Sequence, residues 1–159
     1  GDPYLFTDLS WLHERLGGQD TLRSYGLDFS LRRRLSEVHA EALQAVPKAH
    51  QNFLSQCQLS YGSADLFFCH AGIRPGVPLH AQDEEDLLWI RNEFHADLTA
   101  HPKMIVHGHS TVDQASHYGN RINLDSGAGY GKPLTAAVFE AGACYVLSPD
   151  GRREILPFV

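Results

Sequence analysis

Two short runs of this chain end in histidine followed by small residues: Phe67-Phe68-Cys69-His70-Ala71-Gly72 and Val106-His107-Gly108-His109-Ser110-Thr111. An apolar run of that length reads as a buried strand, and the small residues after it let the backbone turn away sharply. Each imidazole is then delivered to an edge where strand ends meet. Neutral imidazole is the commonest metal-ligating side chain, so His70 and His109 together could hold one metal ion. A satisfied core histidine is the alternative for each taken alone, and the pairing beside glycine-rich turns favours the metal. His107 alternates with His109 across Gly108 and could be a further ligand or a residue that supports a ligand from behind, the second reading being preferred.

The other histidines carry less. His13, His39 and His50 fall on helical stretches, and His80, His95, His101 and His117 fall in loops or exposed strand ends. Cys57, Cys69 and Cys144 are too few and too scattered for a disulfide framework, and their odd number points to reduced thiols and a cytoplasmic setting. No apolar run approaches the roughly 18 to 20 residues of a membrane span, so no membrane partner is expected. A formal net charge of -6 weighs against nucleic acid as a partner. Arg32-Arg33-Arg34 reads as a solvated helix face, and Asp83-Glu84-Glu85-Asp86 as a helix N-terminus rich in acids.

The elements that must position the two histidines divide near residue 57. A chain of 159 residues with 43% hydrophobic content suits one globular domain. Asp8 or Ser10 could cap a helix carrying Leu9, Leu12 and Leu16, which Gly17-Gly18 would end. A second helix is predicted from Ser30 through Ala45, and a third starts at Pro47. Strands follow at Leu59-Tyr61, Leu66-Cys69, Met104-Val106, Gln114-Tyr118, Arg121-Leu124, Leu134-Glu140, Cys144-Ser148 and Arg153-Leu156. Gly62-Ser63-Ala64-Asp65 and Gly119-Asn120 read as hairpin turns. The expected class is α+β, or half of a layered α/β protein: a helical part over 1–56, then a strand-rich part over 57–159 with mainly antiparallel strands.

Four segments then carry a resemblance in order: F-F-C-H-A-G-I-R-P-G-V-P-L at 67–79, D-L-L-W-I-R-N-E-F at 86–94, V-H-G-H-S-T at 106–111 and I-N-L-D-S-G-A-G-Y at 122–130. Together they resemble the C-terminal half of a bacterial calcineurin-like metallophosphoesterase of the serine/threonine phosphatase-like group. The resemblance implies a layered αββα sandwich and a phosphatase that hydrolyses phosphoesters with two divalent metal ions, manganese above all, iron or zinc being compatible. Two cations of that kind activate a hydroxide for in-line attack on phosphate. It also implies that His70 and His109 match two ligands of one metal, and that Arg91, in L-W-I-R, matches an arginine that reaches the substrate phosphate. A guanidinium fork suits phosphate oxygens and stays charged. Asp125 reads as holding its own turn. Tyr130 lies in a glycine-rich loop similar to one that overhangs the site.

The family's first-half motifs, D-x-H, G-D-x-x-D-R-G and G-N-H-[DE], are not found in the chain. The chain opens at Gly1 rather than at methionine, and it is expected to be an incomplete domain whose partner is the missing N-terminal half. Two imidazoles alone leave a divalent ion under-coordinated, so weak metal binding, little hydrolysis and association are expected of the chain by itself. The expected substrate is a phosphorylated one, phosphoprotein or small phosphoester. The alternatives are a dinucleoside polyphosphate hydrolase and a binding module on the same fold that lost catalysis.

Overall fold

A computed structural model describes residues 11–13, 16–29 and 33–158. Their contacts cluster into two compact units, one ending at Cys57 and one beginning at Gln58. The first holds α1 (Gly18–Ser24), α2 (Leu35–Ala45) and α3 (Lys48–Ser55), with Leu22, Leu27 and Val38 as its buried centre. The helix expected to end at Gly17-Gly18 falls partly outside the described residues, and its described part is turn and bend over 11–13 and a 3-10 turn at Leu16. Gly17 instead takes φ +70° and precedes the first turn of α1. A left-handed glycine can break the chain on either side of a helix, which is why the sequence alone misplaced it. The second helix begins at Leu35 rather than Ser30, which lies outside the described residues. Pro47 stands just before α3, where its missing N–H costs nothing.

The second unit carries the strands. A five-stranded sheet has the order β1 (Ser60–Gly62), β2 (Leu66–Cys69), β3 (Met104–His107), β5 (Arg121–Asn123), β4 (Ser116–His117). A three-stranded antiparallel sheet follows: β6 (Ala137–Glu140), β7 (Ala143–Ser148), β8 (Gly151–Glu154). The class is mixed α+β. Most pairings are antiparallel, as expected, but at the centre of the larger sheet β2, β3 and β5 run parallel; β4 and β6 are shorter than expected, and β8 begins two residues earlier, at Gly151.

Register explains the layering. Phe67 lies beside Ile105, and Ile105 beside Arg121, on one face. The crossover from β2 to β3 covers that face with α4 (Glu84–Trp89) and α5 (Asn92–Ala96), burying Leu87, Ile90 and Phe94 against Phe67 and Ile105. Asp83 caps α4 by accepting from the Glu85 N–H at 2.9 Å, and acids fill its first turn, as the helix dipole favours. On the other face Ile122 joins Cys144 of β7 and Ile155, the residue after β8, and Phe68 meets Phe139 edge to face.

Gly72 is demanded by packing. A Cβ built there would lie 2.2 Å from Cδ1 of Phe94, a side chain with no exposed surface. Gly72→Ala is therefore expected to destabilise the second unit by about 1–3 kcal/mol, the usual cost of overpacking. A denaturant titration would show a lower midpoint, and an unchanged midpoint would refute the contact.

Candidate functional site

Because β2, β3 and β5 are parallel neighbours, their carboxyl ends emerge together. This is the edge at which open parallel sheets bind ligands. His70 follows β2, Gly108-His109 follows β3 and Leu124-Asp125 follows β5. The Gly108 N–H donates to the His70 carbonyl at 2.8 Å and the Leu124 N–H to the His107 carbonyl at 2.9 Å, so three strand ends are tied to one another. They border a cavity of about 390 Å³ that His70, His109, Asp125, Ser126 and Thr135 help to line.

Within it His70 Nε2 lies 3.0 Å from His109 Nδ1. Partial desolvation holds the His70 imidazole below its ordinary pKa, with Asp125 pulling it back up and Arg91 pushing it further down. At neutral pH the ring is therefore uncharged, with one nitrogen carrying hydrogen and the other offering a lone pair. His109 sits in the left-handed region at φ +64°, inside a tight turn in which the Ser110 N–H donates to the Gly108 carbonyl at 2.7 Å. A non-glycine residue there stores strain, on the order of 1–3 kcal/mol, and such strain concentrates at functional sites. Asn123, buried at the end of β5, donates to the Ser110 carbonyl at 2.7 Å and holds that turn.

Arg91 lies in the break between α4 and α5, close enough for its charge to bear on both His70 and His95. His107 takes a different position from its neighbours. Strand alternation turns it onto the helix-covered face, where its ring packs on Phe94 at 5.0 Å and beside His95. Its Nδ1 is 3.2 Å from the Gly108 carbonyl, which ties the ring to the turn that carries His109. Burial lowers its pKa to about 4. Asp125 does hold its turn, Oδ1 accepting from the Gly127 N–H at 3.0 Å, yet it also faces His70 electrostatically. Cys69 is no nucleophile: burial pushes its thiol up to about 12, and Sγ donates to the Gly72 carbonyl.

Trp89 went unnoticed in the sequence. Its indole meets the His109 ring edge to face at 5.6 Å. The segment D-L-L-W-I-R drew attention only to its arginine, although the tryptophan two residues earlier sits at the same helix end. Tyr130, on the loop bordering the cavity, is exposed.

The donor set suits part of a metal ion's shell. Two nitrogens 3.0 Å apart have the separation that neighbouring ligands on one cation show when each bond is roughly 2.0–2.1 Å. The pair thus fits one side of a coordination shell. Among the described residues no group of three or more His, Cys, Asp or Glu gathers to complete it.

No family model and no curated protein matches the sequence. Among solved structures, the "Crystal structure of a putative diadenosine tetraphosphatase" is similar over 67% of this chain, with 25% identity and a TM-score of 0.55. The fold resembles that of the metallophosphoesterases. This chain covers 58% of that protein's length. Among the described residues, no helix is long and apolar enough to cross a membrane.

Proposed function

We propose that the chain is the histidine-bearing part of a metal-dependent phosphohydrolase that acts on small phosphoanhydrides, of which a dinucleoside polyphosphate is the model substrate. The observation that carries this reading is the meeting of His70 and His109 at 3.0 Å on the carboxyl edge of a parallel sheet, with the charge of Arg91 bearing on the same place. Similarity to a protein described as a diadenosine tetraphosphatase favours a dinucleoside substrate over a phosphoprotein. Protein phosphatase activity, and a preference for manganese, are the family expectations against which this is tested.

His70 and His109 would hold one cation, and the rest of its ligands would come from beyond the described residues. Bound divalent ions would supply Lewis-acid polarisation of the phosphoryl group and of the attacking water. The chain's own residues do the rest. Arg91 would clamp phosphoryl oxygens with two parallel N–H donors. Trp89 keeps the His109 ring from rotating, and Asn123 keeps its turn closed. Asp125 offsets the positive charge that gathers beside His70.

The test is turnover by the longest reading frame containing this sequence, in Mn²⁺, Zn²⁺ or chelator. Diadenosine tetraphosphate, p-nitrophenyl phosphate and a phosphoserine peptide are compared at equal concentration. Metal-dependent cleavage of diadenosine tetraphosphate at the highest kcat/KM is expected. Preference for the phosphopeptide would restore the protein phosphatase reading, and no cleavage of any substrate would leave the binding module.

A further inference from the structure

Arg74, four residues after His70, is the centre of an ion-pair bracket that the proposed chemistry leaves unused. Its Nε donates to Asp86 Oδ2 at 2.6 Å and its Nη2 to Asp86 Oδ1 at 2.5 Å, a two-pronged pairing with α4. Its Nη1 donates to Glu93 Oε2 on α5 at 2.5 Å. Two residues separate those helices: Ile90, extended at ψ 142°, and Arg91, at φ -135° and ψ -91°, which precedes the first turn of α5. The backbone of Arg74 is itself fixed: its N–H donates to Gln82 Oε1 at 2.7 Å, and Gln82 Nε2 donates to its carbonyl. One step nearer the site, the Ala71 N–H donates to the Leu87 carbonyl at 2.8 Å. A single stretch leaving His70 thus grips α4 twice and α5 once, on both sides of Arg91.

We propose that Arg74 is a positioning residue: by clamping α4 to α5 it sets where the Arg91 guanidinium stands relative to His70, and so the affinity for a phosphate group. This rests on the phosphohydrolase reading given above. Arg74 cannot itself be the phosphate ligand, because two carboxylates already neutralise it. Nor is the bracket a large source of stability, since half-exposed ion pairs contribute about 0–1 kcal/mol. What a two-pronged guanidinium supplies here is orientation. Lysine would keep the charge and lose the fork, so it cannot hold both helices at fixed angles.

The experiment titrates inorganic phosphate into the full chain and follows the Arg91 Nε–Hε resonance, assigned by its loss in Arg91→Lys. Two variants are compared with the parent, Arg74→Lys and Glu93→Gln, with thermal melting recorded for each. Wild-type protein is expected to shift its Arg91 resonance, and both variants to bind phosphate about 10-fold more weakly, the scale of losing a supporting partner, at nearly unchanged Tm. Equal affinity in wild type and both variants would overturn the positioning role and leave the functional reading intact. A weaker affinity that merely tracks a fall in Tm would assign Arg74 to stability and overturn it as well. No shift in the wild type would remove the phosphate role of Arg91, and this inference with it.

Discussion

Replacing His109 with glycine is expected to lower phosphohydrolase turnover by more than about 100-fold without loosening the fold. The loss should exceed the 10- to 100-fold that follows removal of an outer partner of a metal ligand, because here the nitrogen itself goes. The backbone argument runs the other way. His109 holds φ +64°, which glycine adopts at no steric cost, so the variant should melt at the same temperature as the parent or slightly above it. Stability and activity are then expected to move apart, the mark of strain retained for a site. His70→Ala should give the same loss of turnover, since its Nε2 lies 3.0 Å from His109 Nδ1 and would share the same cation. Metal titration of the variants by calorimetry gives the direct comparison. Unchanged turnover in both would end the assignment of this pair.

Acid is expected to destabilise the metal-free chain well above the pH at which carboxylates titrate. His107 is 4% exposed, and burial sets its folded pKa at about 4 against an ordinary 6.5, with His95 and Arg121 adding positive charge nearby. Burial also lowers His95, His101 and His117. A group whose folded pKa is depressed binds its proton first in the unfolded chain. Its contribution is therefore complete above pH 6.5 and is lost as pH falls toward 4. For His107 alone the loss is about 3 kcal/mol, from roughly 1.4 kcal/mol per pKa unit. Asp97, held below the ordinary carboxylate range chiefly by the Thr99 N–H, acts in the same direction at lower pH. Urea titrations in chelator at pH 7.5, 6, 5 and 4 should show the midpoint falling steadily across that window. His107→Phe should flatten the curve between pH 6.5 and 4 if its neutral ring is the cause, and an unchanged slope would refute this origin.

Arg121 shows how far local patterns reach. In the sequence it opens a strand after a turn, and nothing marks it as buried. In the fold it is 5% exposed, its guanidinium stacked 4.3 Å over Tyr118, with Nη2 donating to the His95 carbonyl and Nη1 to Asn120 Oδ1. It ties β5 to the C-terminal end of α5, the helix that follows Arg91. Only a helix arriving from well before it in the chain makes that position a core position, and alternation within β5 cannot report it.

What the sequence determined by itself is local. The runs ending at Cys69 and His107 are short, apolar and followed by small residues, which suffices to make them strands with imidazoles at their tips. The turns at Gly62-Ser63-Ala64-Asp65 and Gly119-Asn120, the acid-capped start of α4 and the helical first third follow from the same short-range chemistry. Tertiary structure decided which of those tips meet. The parallel pairing of β2, β3 and β5 arises from crossovers whose burial is gained at long range, and that pairing alone sets His70 against His109. It also turned His107 to the opposite face, brought Trp89 against His109 and closed Arg74 on both sides of Arg91. A strand's period says that neighbours alternate, and the packing of the layers says what each face will touch.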